Sequence, residues 1–416
     1  MAGDHRAPSR VLVIGSGIVG MSCAWSLQEH GVEVCVVDRK HPGAGASWQN
    51  AGLVAPALSV PLPEPSILRY GVRAVLSPRS PVALVRSADP RLAQFLAAMV
   101  RSCTTSAWRR SMGAHRALNM LADEAFAHQR AGGVDLELHE GDVMACFARA
   151  HESAGFLQEM AAVVAAGQPV ELTLLTADEV RSVEPHVADV VELGVKVRSQ
   201  RYLTPSRYVA ALAKSVRDRG TKIVENTPIT SVERHGEVVV ARGPSAELEA
   251  DAAVVAAGAW AGDLLATHGV RVPVYGGRGY SFTVASPRPF VGPLYFPVAR
   301  VAVTPQGGRA RFAGIMEFGA PDATPQRARF GHMVDASRHL LVDIDWSTMA
   351  DQWMGPRPLS ADGVPLVGAT ATPGIYVAGG HGMWGVTLGP VTGSLLAEQI
   401  TSGVTPPQLL PLDPLR

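Results

Sequence analysis

Charge is scarce in this chain. Of its 416 residues only 18% are Asp, Glu, Lys or Arg, against roughly 25% in an ordinary soluble domain. Lys plus Arg and Asp plus Glu each number 37, so the formal net charge is zero, and the basic footprint of a nucleic-acid binder is missing. Lysine is rarer still: Lys40, Lys196, Lys214 and Lys222 are the only four, a bias that fits a GC-rich genome better than a function. Cysteine is limited to Cys23, Cys35, Cys103 and Cys146, with no CxxC pair, which excludes a zinc knuckle and a thioredoxin-like centre. A chain of this length needs no disulfides, so free thiols in a reducing compartment are expected. The 13 histidines form no HExxH; His139-Glu140 and His151-Glu152 lack a second His at ligand spacing, and no metal is expected. No apolar run reaches the length of a membrane span, and the leader MAGDHRAPSR is polar and runs straight into a strand and glycine loop, so no signal peptide is expected. A cytoplasmic location is expected, with peripheral contact at the inner face of the membrane left open.

What is present points to a large folded core. Hydrophobic residues make up 47%, which excludes a wholly disordered chain, and the length suits two or three domains. Val11 to Ile14 reads as a buried strand, followed by GSGIVG with Gly15, Gly17 and Gly20. A helix follows, with Ile18, Met21, Ala24, Trp25 and Leu27 apolar and Gly31 placed to stop it. Val34 to Val37 is a second strand, closed by Asp38. In such a βαβ unit the first glycine permits the tight turn, the second lets backbone approach a pyrophosphate, and the third lets helix and strand pack closely. The helix N-terminus offers N–H groups to phosphate. Asp38 stands where a carboxylate binds ribose hydroxyls; an Arg for a 2′-phosphate would be expected there instead, and Arg39 merely follows it. Strand, loop, helix, strand and acid in register together imply a dinucleotide. A bare Gly-rich turn is the bland alternative.

Gly380 to Gly385 (GHGMWG) repeats the glycine spacing after an apolar strand, Ile375 to Ala378, and opens a helix to about Ile400. No second strand and acid follow, so it is read as a helix start aimed at an anion. Ala252 to Ala256 is a further strand ending before Gly258; Ser206 to Arg219 is a helix, and Ile223-Val224 starts a strand. These look like parts of one parallel sheet. Leu92, Phe95, Leu96, Met99, Val100 and Cys103 keep helical spacing, and Leu118 to Phe126 suggests another helix. Gly279 to Val284, Arg300 to Thr304 and Ala310 to Ile315 alternate as strands, giving a second domain.

Four ordered blocks then resemble the D-amino-acid oxidase family of flavoproteins, and within it the bacterial D-amino-acid dehydrogenases. They are the βαβ unit with GAGASWQNAGLVAP, then YLTPSRYVAALAKSVRDRGTKIVENTPITSVE, then DAAVVAAGAWAGDLL with VYGGRGYSFTV, and last MGPRPLSADGVPLVG with GIYVAGGHGMWGVTLGPVTGSLLAEQI. Residues 57 to 200 carry least of the likeness. The resemblance implies an α/β, Rossmann-like FAD-binding domain of discontinuous segments (1–88, 173–268, 349–416) and a substrate domain of antiparallel sheet and helices (89–172, 269–348).

It also implies non-covalent FAD, since no Cys lies near Arg357 or Gly380 to Gly385 to anchor a thioether. Gly15, Gly17, Ile18, Val19, Gly20, Asp38 and Arg39 would hold the adenosine and pyrophosphate half. Ala46, Ser47, Ala51, Gly52 and Leu53 match the loop along the pyrophosphate and flavin. Ile229, otherwise a core strand residue, and Gly258 complete the adenosine side. Gly380, His381, Gly382, Met383, Trp384, Gly385, Val386 and Thr387 match the helix start at the flavin's pyrimidine end, where His381 would add a hydrogen bond. Arg357 matches the Arg that binds the substrate carboxylate; on composition alone it is a surface Arg in a proline turn. Tyr280 and Arg300 are further substrate-binding candidates, against core packing and a sheet-edge ion pair. Apolar Met383 and Trp384 argue against a glycine-oxidase subtype.

The implied reaction is oxidative deamination of an α-amino acid, a D-amino acid foremost, by hydride transfer from Cα to flavin N5. The imino acid formed is then hydrolysed to a 2-oxo acid and ammonia. No general base is named, because the amine loses its proton before the hydride leaves. The alternatives are a secondary amine (sarcosine, D-proline or hydroxyproline, an N-substituted glycine), a noncatalytic FAD-binding subunit, or a plain NAD dehydrogenase, whose later blocks would have no role. The electron acceptor is a quinone or oxygen. A quinone would meet a surface patch around Leu76 to Leu84 or Leu92 to Val100, segments whose plainer reading is a connector and a buried helix.

Overall fold

The computed structural model describes residues 6–65, 82–84 and 89–416. Continuous apolar runs form a parallel sheet at the centre of the first layer. Its strands, in spatial order, are Lys222–Val224, Glu33–Val37, Arg10–Ile14, Ala252–Val255 and Ile375–Gly379, with Leu366–Ala369 antiparallel at the edge. Strands buried on both faces need helices on each side. The helix Ile18–Glu29 packs against Pro205–Asp218 and against the C-terminal helix Gly385–Ser402. Neither end of Ile18–Glu29 is held by a capping side chain, so packing sustains it: Met21, Ala24, Trp25 and Leu27 are buried in the largest core cluster. Gly31, at φ +76°, follows its last turn. A three-stranded antiparallel sheet, Ser231–His235, Val238–Gly243 and Ala246–Ala250, covers the face opposite helix Ile18–Glu29.

From Arg10–Ile14 the chain builds outward on one side through Glu33–Val37 and Lys222–Val224, then returns to add Ala252–Val255 and Ile375–Gly379 on the other. The strand order therefore reverses there, and the crevice beyond the carboxyl ends of those strands is where an open α/β sheet binds ligands.

The second layer is a larger, mainly antiparallel sheet. Val274–Ala285 lies between Asp345–Ser360 and Arg309–Phe318, followed by Val301–Gln306, Leu294–Phe296, Val143–Phe147, Leu193–Val197 and Leu172–Thr176. Its strands alternate. Tyr280, Phe282 and Val284 turn to one side with Val301, Val303 and Phe312, where helix Arg327–Ser337 covers them. The pairing differs from the segment boundaries expected at 172/173 and 348/349. Leu172–Thr176, Leu193–Val197 and all of Asp345–Ser360 join this second sheet. Leu193–Val197 bonds on both edges within it, a partnership its short apolar pattern did not specify.

The stretch Leu118 to Phe126 is also divided. One helix runs Thr105–Asn119 and the next Ala122–Ala131, because Met120 and Leu121 turn the chain between two separate buried faces. Of the apolar segments considered for quinone contact, residues 76–81 lie outside the described residues and Val82–Leu84 pairs with Met316–Phe318. Helix Pro90–Ser102 buries Leu92, Phe95 and Met99 against Tyr275, Phe318 and Leu359. No described helix is long and apolar enough to cross a membrane.

Candidate functional site

A cavity of about 590 Å³ opens at the strand reversal. Its floor is Ile14 and Gly15 from one strand end, Val37 and Asp38 from the next, Ala256 to Gly258 from a third, and Ala378 and Gly379 from a fourth. Gly15, at φ +114°, leaves no room for a Cβ, which would stand 2.3 Å from the Ala256 carbonyl oxygen. A Cβ on Gly20 would stand 1.9 Å from the Gly15 oxygen. Both glycines therefore hold helix and strand at contact distance, as the spacing predicts. Gly17, Ile18 and Val19 border the cavity with them. The first-turn N–H groups of a helix lack intrahelical partners; here the Ile18 N–H donates to Ser47 Oγ at 3.0 Å.

Asp38 borders the cavity, but its carboxylate also braces its own chain. It accepts from Ser16 N at 2.6 Å, Ser16 Oγ at 2.8 Å and Lys40 N at 2.9 Å. Arg39 borders the cavity as well; it pairs with Asp322 at 3.0 Å and lies 4.5 Å over the Trp260 ring. The Trp260 indole N–H donates to the same carboxylate at 2.9 Å. Ala46, Ser47, Ile229 and Gly258 also face the cavity.

Other expected residues stand behind this wall. Ala51, Gly52 and Leu53 are not among its lining; the Ala51 carbonyl accepts from Thr304 Oγ1 at 2.7 Å, and Leu53 pairs with Tyr202. Gly380, Trp384 and Thr387 likewise lie behind it. Ser360 Oγ donates to the Gly380 carbonyl, the Trp384 indole N–H to Val60 O at 2.8 Å, and Thr387 Oγ1 to Leu53 O at 3.3 Å. His381, Gly382, Met383, Gly385 and Val386 line the cavity, where helix Gly385–Ser402 begins. His381 is buried; its Nε2 lies 2.9 Å from Thr392 Oγ1, and its Nδ1 has no partner in the fold. Burial, with His115 adding repulsion, pushes its pKa down to about 3. The ring is therefore neutral at physiological pH, and any charge offered to an anion here comes from the helix start.

Arg357 borders the cavity with Pro356 and Pro358, next to the helix start: the Gly382 N–H donates to the Pro358 carbonyl at 2.7 Å. Its placement depends on an irregularity in the second sheet. Arg278 pairs with Glu317 but Tyr280 pairs with Gly314, so Ile315 and Met316 bulge opposite Gly279. Ile315 adopts φ +61°, a strained conformation for a β-branched residue. The bulge gives the Ile315 carbonyl to Arg357 Nη1 at 2.7 Å. The guanidinium lies flat against Gly279, where a Cβ would stand 2.3 Å from Cζ. Nε and Nη2 carry no hydrogen bond, and no carboxylate is within ion-pair range among the described residues. Burial alone draws the pKa from its ordinary 12.5 to about 10. Arg357 is thus cationic at neutral pH, half-buried and unpaired, with two donor nitrogens open.

The two remaining substrate candidates do not join it. Tyr280 is 1% exposed, and its hydroxyl donates to Glu317 at 2.7 Å on the opposite face of the sheet. The apolar alternation of its strand fixes that direction. Arg300 is exposed at a strand start, at φ +54°, outside the cavity lining. Residues missed in the sequence include Trp260, Asn50, Thr227, Pro228 and Thr230, all of which line the cavity. Trp260 sits inside a resembling block and was legible; Asp322, which reaches over from beyond the second sheet, left no signal.

A family profile described as FAD dependent oxidoreductase, DAO, matches residues 10–399. The chain belongs to the DAO family. It is similar to a D-amino acid dehydrogenase of Rhizorhabdus wittichii, 29% identical over 94% of this chain and 96% of that one. Its fold is similar to glycine oxidase from Geobacillus kaustophilus (TM-score 0.74, 23% identity, 99% of each chain). Iminodiacetate oxidase from Chelativorans sp. is also similar (TM-score 0.70, 20% identity, 97% and 99% of the two chains). This DAO protein is an FAD-dependent oxidoreductase acting on amino acids or amines. The cavity fits the cofactor: a strand reversal, a glycine turn with no space for side chains, two helix starts, and a buried imidazole nitrogen left without a partner.

Proposed function

We propose that this DAO protein oxidatively deaminates an α-amino acid, a D-amino acid foremost, and that FAD is held without a covalent bond. The unpaired Arg357 at the cavity wall carries the reading. A planar fork pairs both oxygens of a carboxylate, and the Ile315 carbonyl and Gly279 fix the fork before substrate arrives. The resemblance to a D-amino acid dehydrogenase supports the choice of substrate. Bound FAD supplies the two-electron acceptor for the Cα hydride. Arg357 holds the carboxylate, the apolar Met383 and the two flanking prolines limit water, and the neutral His381 adds no competing charge. Holding the reacting groups in place does most of the work in such a step. The imino acid then hydrolyses to the 2-oxo acid and ammonia. Anaerobic mixing with D-amino acids, L-amino acids, sarcosine and D-proline tests this: bleaching of the flavin by D-amino acids is expected. Bleaching by secondary amines alone would transfer the reading to those substrates.

No cysteine lines the cavity, and all four thiols are buried. Acid precipitation should therefore release a yellow supernatant whose chromophore is FAD; colour retained in the pellet would show a covalent link. A second expectation concerns reoxidation. After anaerobic reduction by the best substrate, an artificial quinone should reoxidise the protein faster than air. Rapid reoxidation in air with stoichiometric peroxide would make it an oxidase.

A further inference from the structure

Buried arginines here fall into two kinds. Arg278 and Arg329 share the carboxylate of Glu317, at 2.5 Å and 2.9 Å. Arg357 and Arg311 have no carboxylate within ion-pair range among the described residues. Arg311 is 4% exposed on strand Arg309–Phe318. Its Nη1 donates to Ser281 Oγ at 3.0 Å and its Nε to Gln306 Oε1 at 3.3 Å; Nη2 has no bond among the described residues. Asp351 attracts it from a distance while accepting a hydrogen bond from Thr283, and Arg309 repels it. Burial, with the Arg309 repulsion added, outweighs the pull of Asp351 and draws its pKa down to about 10. A buried cation that lacks an anion is strongly unfavourable unless something else supplies one.

Arg311 and Arg357 serve the same face of the sheet. Tyr280 and Phe282 turn into the core on one side, so Gly279 and Ser281 present the other. Arg357 lies on Gly279, and Arg311 bonds Ser281. Two residues along a strand is roughly 7 Å. That face meets the chain segment beside the cofactor cavity: Ser281 Oγ donates to Gln49 O at 2.5 Å and Thr304 Oγ1 to Ala51 O at 2.7 Å. Asn50, between those two carbonyls, lines the cavity. Both guanidinium groups thus lie on the sheet face turned toward the cofactor layer, Arg357 in the cavity wall and Arg311 behind that wall, next to residues 49–51.

We propose that Arg357 and Arg311 together bind a substrate carrying two carboxylates, an acidic amino acid or a short imino diacid. Arg357 takes the carboxylate next to the amine, and Arg311 takes the second. The proposal rests on the reading of Arg357 as the carboxylate site, but it can be tested without turnover. Malonate, succinate and glutarate are titrated into the FAD-loaded protein alongside acetate, propionate and butyrate, with the flavin absorbance shift as readout. At least one dicarboxylate is expected to bind tenfold or more tightly than every monocarboxylate. Arg311→Met should erase that preference to within about threefold, Arg311→Lys should keep part of it, and Arg357→Met should weaken both classes.

With substrates, the ratio of kcat/KM for D-aspartate, D-glutamate or iminodiacetate over that for D-alanine should fall tenfold or more in Arg311→Met. Equal binding of the two ligand classes by the unaltered protein overturns the proposal. So does an equal loss for both classes in Arg311→Met, which would make Arg311 a support for residues 49–51 only. If Arg311→Met fails to retain FAD, the unaltered protein and Arg311→Lys decide. Dicarboxylate preference without bleaching by any amine would sink the deamination reading and leave this one standing.

Discussion

Arg357→Ala is expected to keep FAD and lose at least tenfold in kcat/KM on its amino-acid substrate. A charge-assisted hydrogen bond contributes about 1.5–3 kcal/mol, and a paired fork can exceed that. Each factor of ten in kcat/KM corresponds to about 1.4 kcal/mol. The FAD content should hold because Arg357 bonds only the Ile315 carbonyl and Met316 sulfur within the fold. Steady-state kinetics beside the flavin absorbance of the purified variant checks both halves. Kinetics like those of the unaltered protein would remove Arg357 from the site.

Glu317→Ala should destabilise the fold more than any change at the cavity wall. Glu317 is fully buried and accepts from Arg278 and Tyr280 through one oxygen and from Arg329 through the other. Its removal takes the carboxylate from the buried Arg278 guanidinium, and breaking a buried ion pair from one side costs about 3–5 kcal/mol. The same carboxylate anchors the strand just past the Ile315 bulge. Thermal unfolding should show a fall of several degrees, and the variant's substrate KM should rise because the Ile315 carbonyl no longer holds Arg357 in place. An unchanged melting temperature would show that the cluster is solvated.

The cofactor half was largely legible and the substrate half was not. Gly15, Gly17, Gly20 and Asp38 lie in one short stretch, and their spacing reflects local demands of turn, helix and strand. Gly382 to Val386 was legible for the same reason. Arg357 needed the surrounding motif, because nothing in an Arg between prolines says that its ion partner will be absent. Tyr280 stands away from the cavity because a strand residue's direction depends on which face is covered, and helix Arg327–Ser337, far along the chain, covers that one. The bulge at Ile315 and the crossing of Asp322 to Arg39 depend on registers between distant strands, which a single sequence does not display. Arg311 was visible as a charge inside an alternating strand, but its isolation from carboxylates appears only in three dimensions.

The distribution of the cavity lining along the chain bears on how the protein is made. Its walls begin at Ile14 and end at Val386, and helix Gly385–Ser402 packs on Ile18–Glu29 through Gly389 and Gly393. A ribosome builds the N-terminal part first, so the glycine turn emerges hundreds of residues before the helix that completes its surroundings. Until then Ile18, Ser22 and the apolar strands beside them have no cover from that side. Flavin capture is consequently an event of the finished chain, and the nascent N-terminal half is the stage most in need of chaperone protection.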